Sequence, residues 1–155
     1  MTDEPCSTND SNAGDITADR QFKAGAVTLT VSPNPEGTPN RFWSTSKGPQ
    51  LRVYGGQLVF KAAVGKVINK IVFNNGKWNN GNSADTGTFD GATWTGDAQV
   101  VVVTIAGNTQ LNSIEVTPAD YVPTAVVAPE NLETETYVLT ANAVKPYYDP
   151  AEVTQ

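Results

Sequence analysis

The chain predicts an all-β protein, an antiparallel jelly-roll-like β-sandwich, on three observations. Short apolar segments alternate with polar residues at a period of two, as half-buried strands require. Gly, Pro, Asn and Asp punctuate these segments at short intervals, the spacing of a sandwich or barrel. No window sustains a 3.6-residue apolar period, so essentially no helix is expected.

Residues 1–21 are Asp, Asn, Ser and Thr with little to bury, and read as a flexible N-terminal arm. Ala26 to Val31 alternates, with Val27, Leu29 and Val31 on one face. Residues 32–40, dense in Pro and Gly, form a loop ahead of Arg41-Phe42-Trp43, and Lys47-Gly48-Pro49 turns the chain. Gln50 to Tyr54 and Gln57 to Lys61 alternate on either side of Gly55-Gly56, and are predicted to pair as a hairpin.

Lys66 to Phe73 is a longer apolar strand, and Thr93 to Thr95 a short edge strand. Gln99 to Ala106 is almost continuously β-branched, the pattern of a central strand covered on both faces. Leu111 to Thr117 closes the domain at Pro118, for seven or eight strands over residues 22–118. Residues 119–155 read as an acidic, Pro-spaced linker followed by one further alternating strand, residues 136–144, with Tyr137 and Leu139 on one face. A lone strand cannot bury its own face. Segment 136–144 is therefore expected to add to the first sheet, to cross to a neighbouring copy, or to begin a truncated second module.

The net charge of −6 is unevenly placed: −4 over residues 1–21, +3 over 22–117 and −5 over 118–155. The bases of the central region are scattered singly, which argues against a nucleic-acid footprint. There is no histidine, which removes His-based nucleophile systems, imidazole proton shuttles and His-ligated metals together. Cys6 is the single cysteine, so neither an intrachain disulfide nor a cysteine-based metal site can form. No apolar run reaches the ~20 residues of a membrane-spanning helix.

The run from Lys66 to Pro118, with its Ile-x-Lys-Ile-x-Phe strand, Asn/Gly loop, Trp-Thr-Gly element, Val-rich strand and closing Ile-Glu-Val-Thr, resembles a repeated extracellular β-sandwich module of Bacteroidota surface and secreted proteins. The segment Arg41 to Gly65 fits the same resemblance, which covers about residues 22–118. It implies a jelly-roll-like sandwich placed outside the cell or at its surface, in a group mostly without an assigned activity. Residues 129–150 resemble the opening of a further such module.

Candidate chemistry follows from the aromatic and amide residues. A sugar presents an apolar CH face that stacks on an aromatic plane, and Asn or Asp side chains satisfy its hydroxyls. Trp78, set among Asn75, Asn79 and Asn80, has that composition; Trp43 and Tyr54 are further candidates. Beside this stands a structural role, in which the tryptophans fill the core (Trp94 above all) and the Asn-Gly pairs 75–76 and 80–81 reverse the chain. Asp85, Asp90 and Asp97 read first as solvated loop acids, and no cofactor is expected; they could supply oxygen ligands to Ca²⁺, but their spacing lacks a compact calcium-loop pattern. The same aspartates could form a glycosidase pair, but nothing in the sequence fixes the ~5–10 Å separation such a pair needs. The expectation is a non-catalytic module that recognises glycans, or alternatively a structural or adhesive module, a spacer or a subunit exchanging strand 136–144, with no small ligand.

Overall fold

The structure, a computed structural model, describes residues 5–122. In chain order the strands are β1 (Arg20–Ala24), β2 (Val27–Val31), β3 (Arg41–Thr45), β4 (Gly48–Val53), β5 (Gln57–Ala62) and β6 (Lys66–Lys77). They continue with β7 (Ser83–Ala84), β8 (Thr88–Asp90), β9 (Thr93–Ala98), β10 (Val100–Thr104) and β11 (Thr109–Asp120). Two antiparallel sheets result, ordered β1-β2-β5-β10-β7 and β3-β4-β11-β6-β9-β8. The expected all-β sandwich is what the described residues form. Seven of the ten connections among the described residues pass from one sheet to the other, so neighbours in sequence often face each other across the core.

The inward rows supply that core. Val27, Val31, Leu58, Phe60, Val101 and Val103 come from one sheet; Phe42, Leu51, Val53, Ile68, Ile71, Phe73, Trp94 and Leu111 come from the other. Each such side chain contributes roughly 1.5–3 kcal/mol by leaving water. Trp94 is fully buried, and its indole N–H donates to the Thr86 carbonyl at 2.7 Å, so the core holds no unsatisfied polar atom there. Gly87 and Gly96 lie against the ring: a Cβ on either would come within 2.5–2.6 Å of it.

Five features differ from the sequence expectation. Residues 50–54 and 57–61 do not pair as a hairpin, because β4 and β5 belong to opposite sheets. Gly55-Gly56 is a corner between layers, with no space for a side chain at Gly56, where a Cβ would meet Ser32 Oγ at 2.4 Å and the Pro33 carbonyl at 2.5 Å. Asn40, fully buried, ties this corner to the loop that carries β2 into β3. Its Nδ2 donates to the carbonyls of Ser32 and Gly55 at 2.9 and 2.8 Å, and its Oδ1 accepts from the Tyr54 N–H at 2.7 Å.

Residues 5–19 are not a loose arm. The segment lies along the edge of β3 and takes up its outward backbone groups. Ser7 N–H donates to the Phe42 carbonyl, Ser44 N–H to Ser7, Phe42 N–H to Gly14 and Ile16 N–H to Asn40, at 2.7–3.1 Å. Gly14 approaches so closely that a Cβ would stand 2.3 Å from the Phe42 oxygen. Ile16 is in the core at 1% exposure. The physical reason is the edge itself: an uncovered strand edge invites pairing, and here the chain's own start closes it.

Among the described residues β10 is covered on one face only; Val101 and Val103 are buried while Val100 is exposed. β9 is interior, between β6 and β8, rather than an edge strand. β11 runs through Pro118 to Asp120 with a register shift between Thr117 and Pro118, so the proline bends the strand without ending it. No helix among the described residues is long and apolar enough to cross a membrane. Segment 136–144 lies outside the described residues.

Candidate functional site

The connection after Phe73 divides into a strand and a tight turn. β6 continues through Asn75-Gly76 to Lys77, so this Asn-Gly pair lies within the strand. Asn80-Gly81 does turn the chain, braced by Asn79, whose Oδ1 accepts the Gly81 N–H at 2.8 Å. The anchor of this turn is Asn82, a residue the sequence did not single out. Its Nδ2 donates to Thr109 Oγ1 at 3.0 Å and its Oδ1 accepts the Ala106 N–H at 2.9 Å, pinning the turn to the β10–β11 connection.

Trp78 is half-buried at the margin of the core. Its ring centroid lies 5.0 Å from that of Phe73 and 5.4 Å from that of Phe89. Phe73 and Phe89 are themselves 6.0 Å apart, so the three rings form one cluster. Asn75 is exposed and turns its Nδ2 back to the Phe73 carbonyl at 2.8 Å. Asn80 is exposed, and Asn79 is half-buried with its amide over Gly107. The loop amides near Trp78 thus serve the turn and strand around them. Tyr54 is half-buried at the corner that Asn40 holds.

Asp85, Asp90 and Asp97 do not converge. Asp85 Oδ1 accepts the Val102 N–H at 2.9 Å, Asp90 sits in β8 and Asp97 in β9. Among the described residues no three acidic, His or Cys side chains stand close enough to hold a metal ion.

Trp43 lies in a different setting. Its neighbours Phe42 and Leu51, paired across β3 and β4, point into the core, so Trp43 and its cross-strand partner Gln50 take the outer face of the six-stranded sheet. The guanidinium groups of Arg41 and Arg52 lie 5.6 and 5.1 Å from the Trp43 ring centroid, a cation–π arrangement that holds the ring on the sheet. Arg41 is fixed in turn by Asp15: Nη2 donates to Oδ2 at 3.0 Å, and Nε lies 2.9 Å from Oδ1, off the N–H axis.

Arg52 Nε donates to Gln50 Oε1 at 2.9 Å, and Gln50 Nε2 donates to Asn112 Oδ1 at 3.1 Å. Further along the same face Asn74 Nδ2 donates to Ser113 Oγ at 2.9 Å and to Glu115 Oε2 at 3.1 Å. The outer face of β3, β4, β11 and β6 thus carries one tryptophan ring, two guanidinium groups, the Gln50–Asn112 amide pair and the Asn74 amide bonded to the Ser113 hydroxyl and the Glu115 carboxylate. Composition named Trp43 as a candidate, but its surroundings come from cross-strand register, which the sequence alone does not show.

Scans against protein-family models, curated proteins and solved structures find no match to this chain.

Proposed function

We propose that this chain is a non-catalytic recognition module of a bacterial surface or secreted protein, binding glycans on the outer face of the six-stranded sheet around Trp43. The observation that carries the reading is the Trp43 ring held by Arg41 and Arg52 beside the Gln50–Asn112 amide pair. A ring of this kind supplies a stacking surface for a sugar CH face, and the fixed guanidinium groups and the exposed Asn112 amide, which Gln50 orients, supply donors and acceptors for hydroxyls. Because these groups are already ordered by one another, little side-chain freedom is lost on binding. The extracellular setting rests on the resemblance of residues 22–118 to the Bacteroidota modules.

The site differs from the loop setting that composition alone favours, since Trp78 spends its surface on Phe73 and Phe89. A glycan array probed with the wild-type chain and with Trp43→Ala tests the reading. Signals that vanish in the variant support it; an array on which the wild-type chain binds nothing removes its support.

A further inference from the structure

Among the described residues, β11 has a partner on only one side for most of its length. It pairs with β6 from Gln110 to Asp120, whereas β4 pairs with it only at Thr109, Gln110 and Leu111. From Asn112 onward the lane that β4 vacates holds no strand of the described residues. The lane is also open inward. Between the sheets at this point lies a groove of about 530 Å³, lined chiefly by Phe22, Val27, Leu29, Phe60, Ile114 and Val116. Phe22, Leu29 and Phe60 form one cross-strand row of the opposite sheet, so the groove is a strip of that sheet's inner face that no strand of the described residues covers.

We propose that this lane receives segment 136–144 from a second copy of the chain, pairing along β11 and placing Tyr137 and Leu139 in the groove. Three features favour that occupant. The segment Thr136 to Val144 has the period-two apolar pattern that a lane with one apolar face selects. Glu133 and Glu135 immediately precede it and Lys23 stands at the groove, in keeping with a region of +3 (residues 22–117) receiving a region of −5 (residues 118–155). A return along the same chain's β11 would need only about 2–5 connecting residues. The sequence instead offers residues 121–135, with Pro123 and Pro129, a length and composition suited to reaching another molecule.

The test uses the full chain, with mass measured by sedimentation across a concentration series. The wild type is expected to self-associate as concentration rises. Leu139→Asp, which replaces none of the core residues named above, is expected to weaken self-association at least tenfold, as is Val116→Asp in the groove. Mixing the two variants is the decisive arm, because one retains an intact groove and the other an intact segment; a one-to-one heterodimer is expected. A wild type that stays monomeric throughout overturns the proposal, as does self-association that Leu139→Asp leaves unchanged. A monomeric wild type whose melting temperature falls in Leu139→Asp also overturns it, and assigns the segment to its own groove.

Discussion

Gln50 and Asn112 are joined side chain to side chain, Nε2 to Oδ1 at 3.1 Å, at the point where β4 parts from β11. The bond lies on the outer face, where it continues the row that begins at Trp43. On the inner face the same divergence leaves Ile114 and Val116 beside an apolar groove. One irregularity of register thus shapes both the proposed recognition face and the open lane.

Asn40→Ala is expected to destabilise the protein by about 2–4 kcal/mol, because it leaves the Tyr54 N–H and the Ser32 and Gly55 carbonyls without their partner in a buried corner. Urea unfolding measures the loss. A change below about 0.5 kcal/mol, the scale of ordinary surface substitutions, would mean that the corner is held by other groups.

Ile16→Ala is expected to cost about 2–4 kcal/mol, as for a buried aliphatic side chain cut to a methyl. The same unfolding experiment separates this from a loose arm, in which the substitution would be nearly neutral.

The strands themselves were largely legible. β2, β5 and β6 follow from alternation of apolar and polar residues, and Trp94 is the core residue that its strand context suggested. Sheet membership was not legible: a period of two says which side chains share a face, but not which strand lies alongside. That is why Leu51 and Leu58, flanking a Gly-Gly pair, read as hairpin partners when they sit in opposite sheets. Ile16 was hidden for a different reason, since one apolar residue in a polar stretch has no period to betray it. Asn40 and Asn82 look like any turn-forming asparagine; their roles depend on carbonyls and amides brought near by tertiary folding. Trp78 was ambiguous because one of its two aromatic partners, Phe89, lies in a separate strand of the same sheet.

Gly96→Ala is expected to lower stability by roughly 1–3 kcal/mol, since the new methyl would stand 2.6 Å from the Trp94 ring and force repacking. Near-ultraviolet circular dichroism reports the displaced indole, and an unchanged spectrum with unchanged stability would show that the ring has room to yield.

Lys66 donates to Asp120 at 2.5 Å and, through that hydrogen bond and then its charge, holds the carboxyl below its ordinary value of 3.8. A lowered carboxyl stabilises the fold above the unfolded-state value, and that contribution disappears as pH falls through the lowered one. The pair is exposed, so water and salt screen it and the effect on stability is small. Carbon-detected titration should place the Asp120 midpoint below 3.8 and move it back towards that value in Lys66→Gln. An unmoved midpoint would dissociate Lys66 from the shift.

The most direct test of the recognition face is calorimetric titration of a glycan selected on the array into wild type, Trp43→Ala and Trp78→Ala, each first shown to be folded. Loss of at least tenfold in affinity, about 1.4 kcal/mol, is expected for Trp43→Ala, with Trp78→Ala binding within twofold of wild type and losing stability instead. Full affinity in Trp43→Ala, with binding abolished in a folded Trp78→Ala, would contradict the account and return the site to the turn after Phe73.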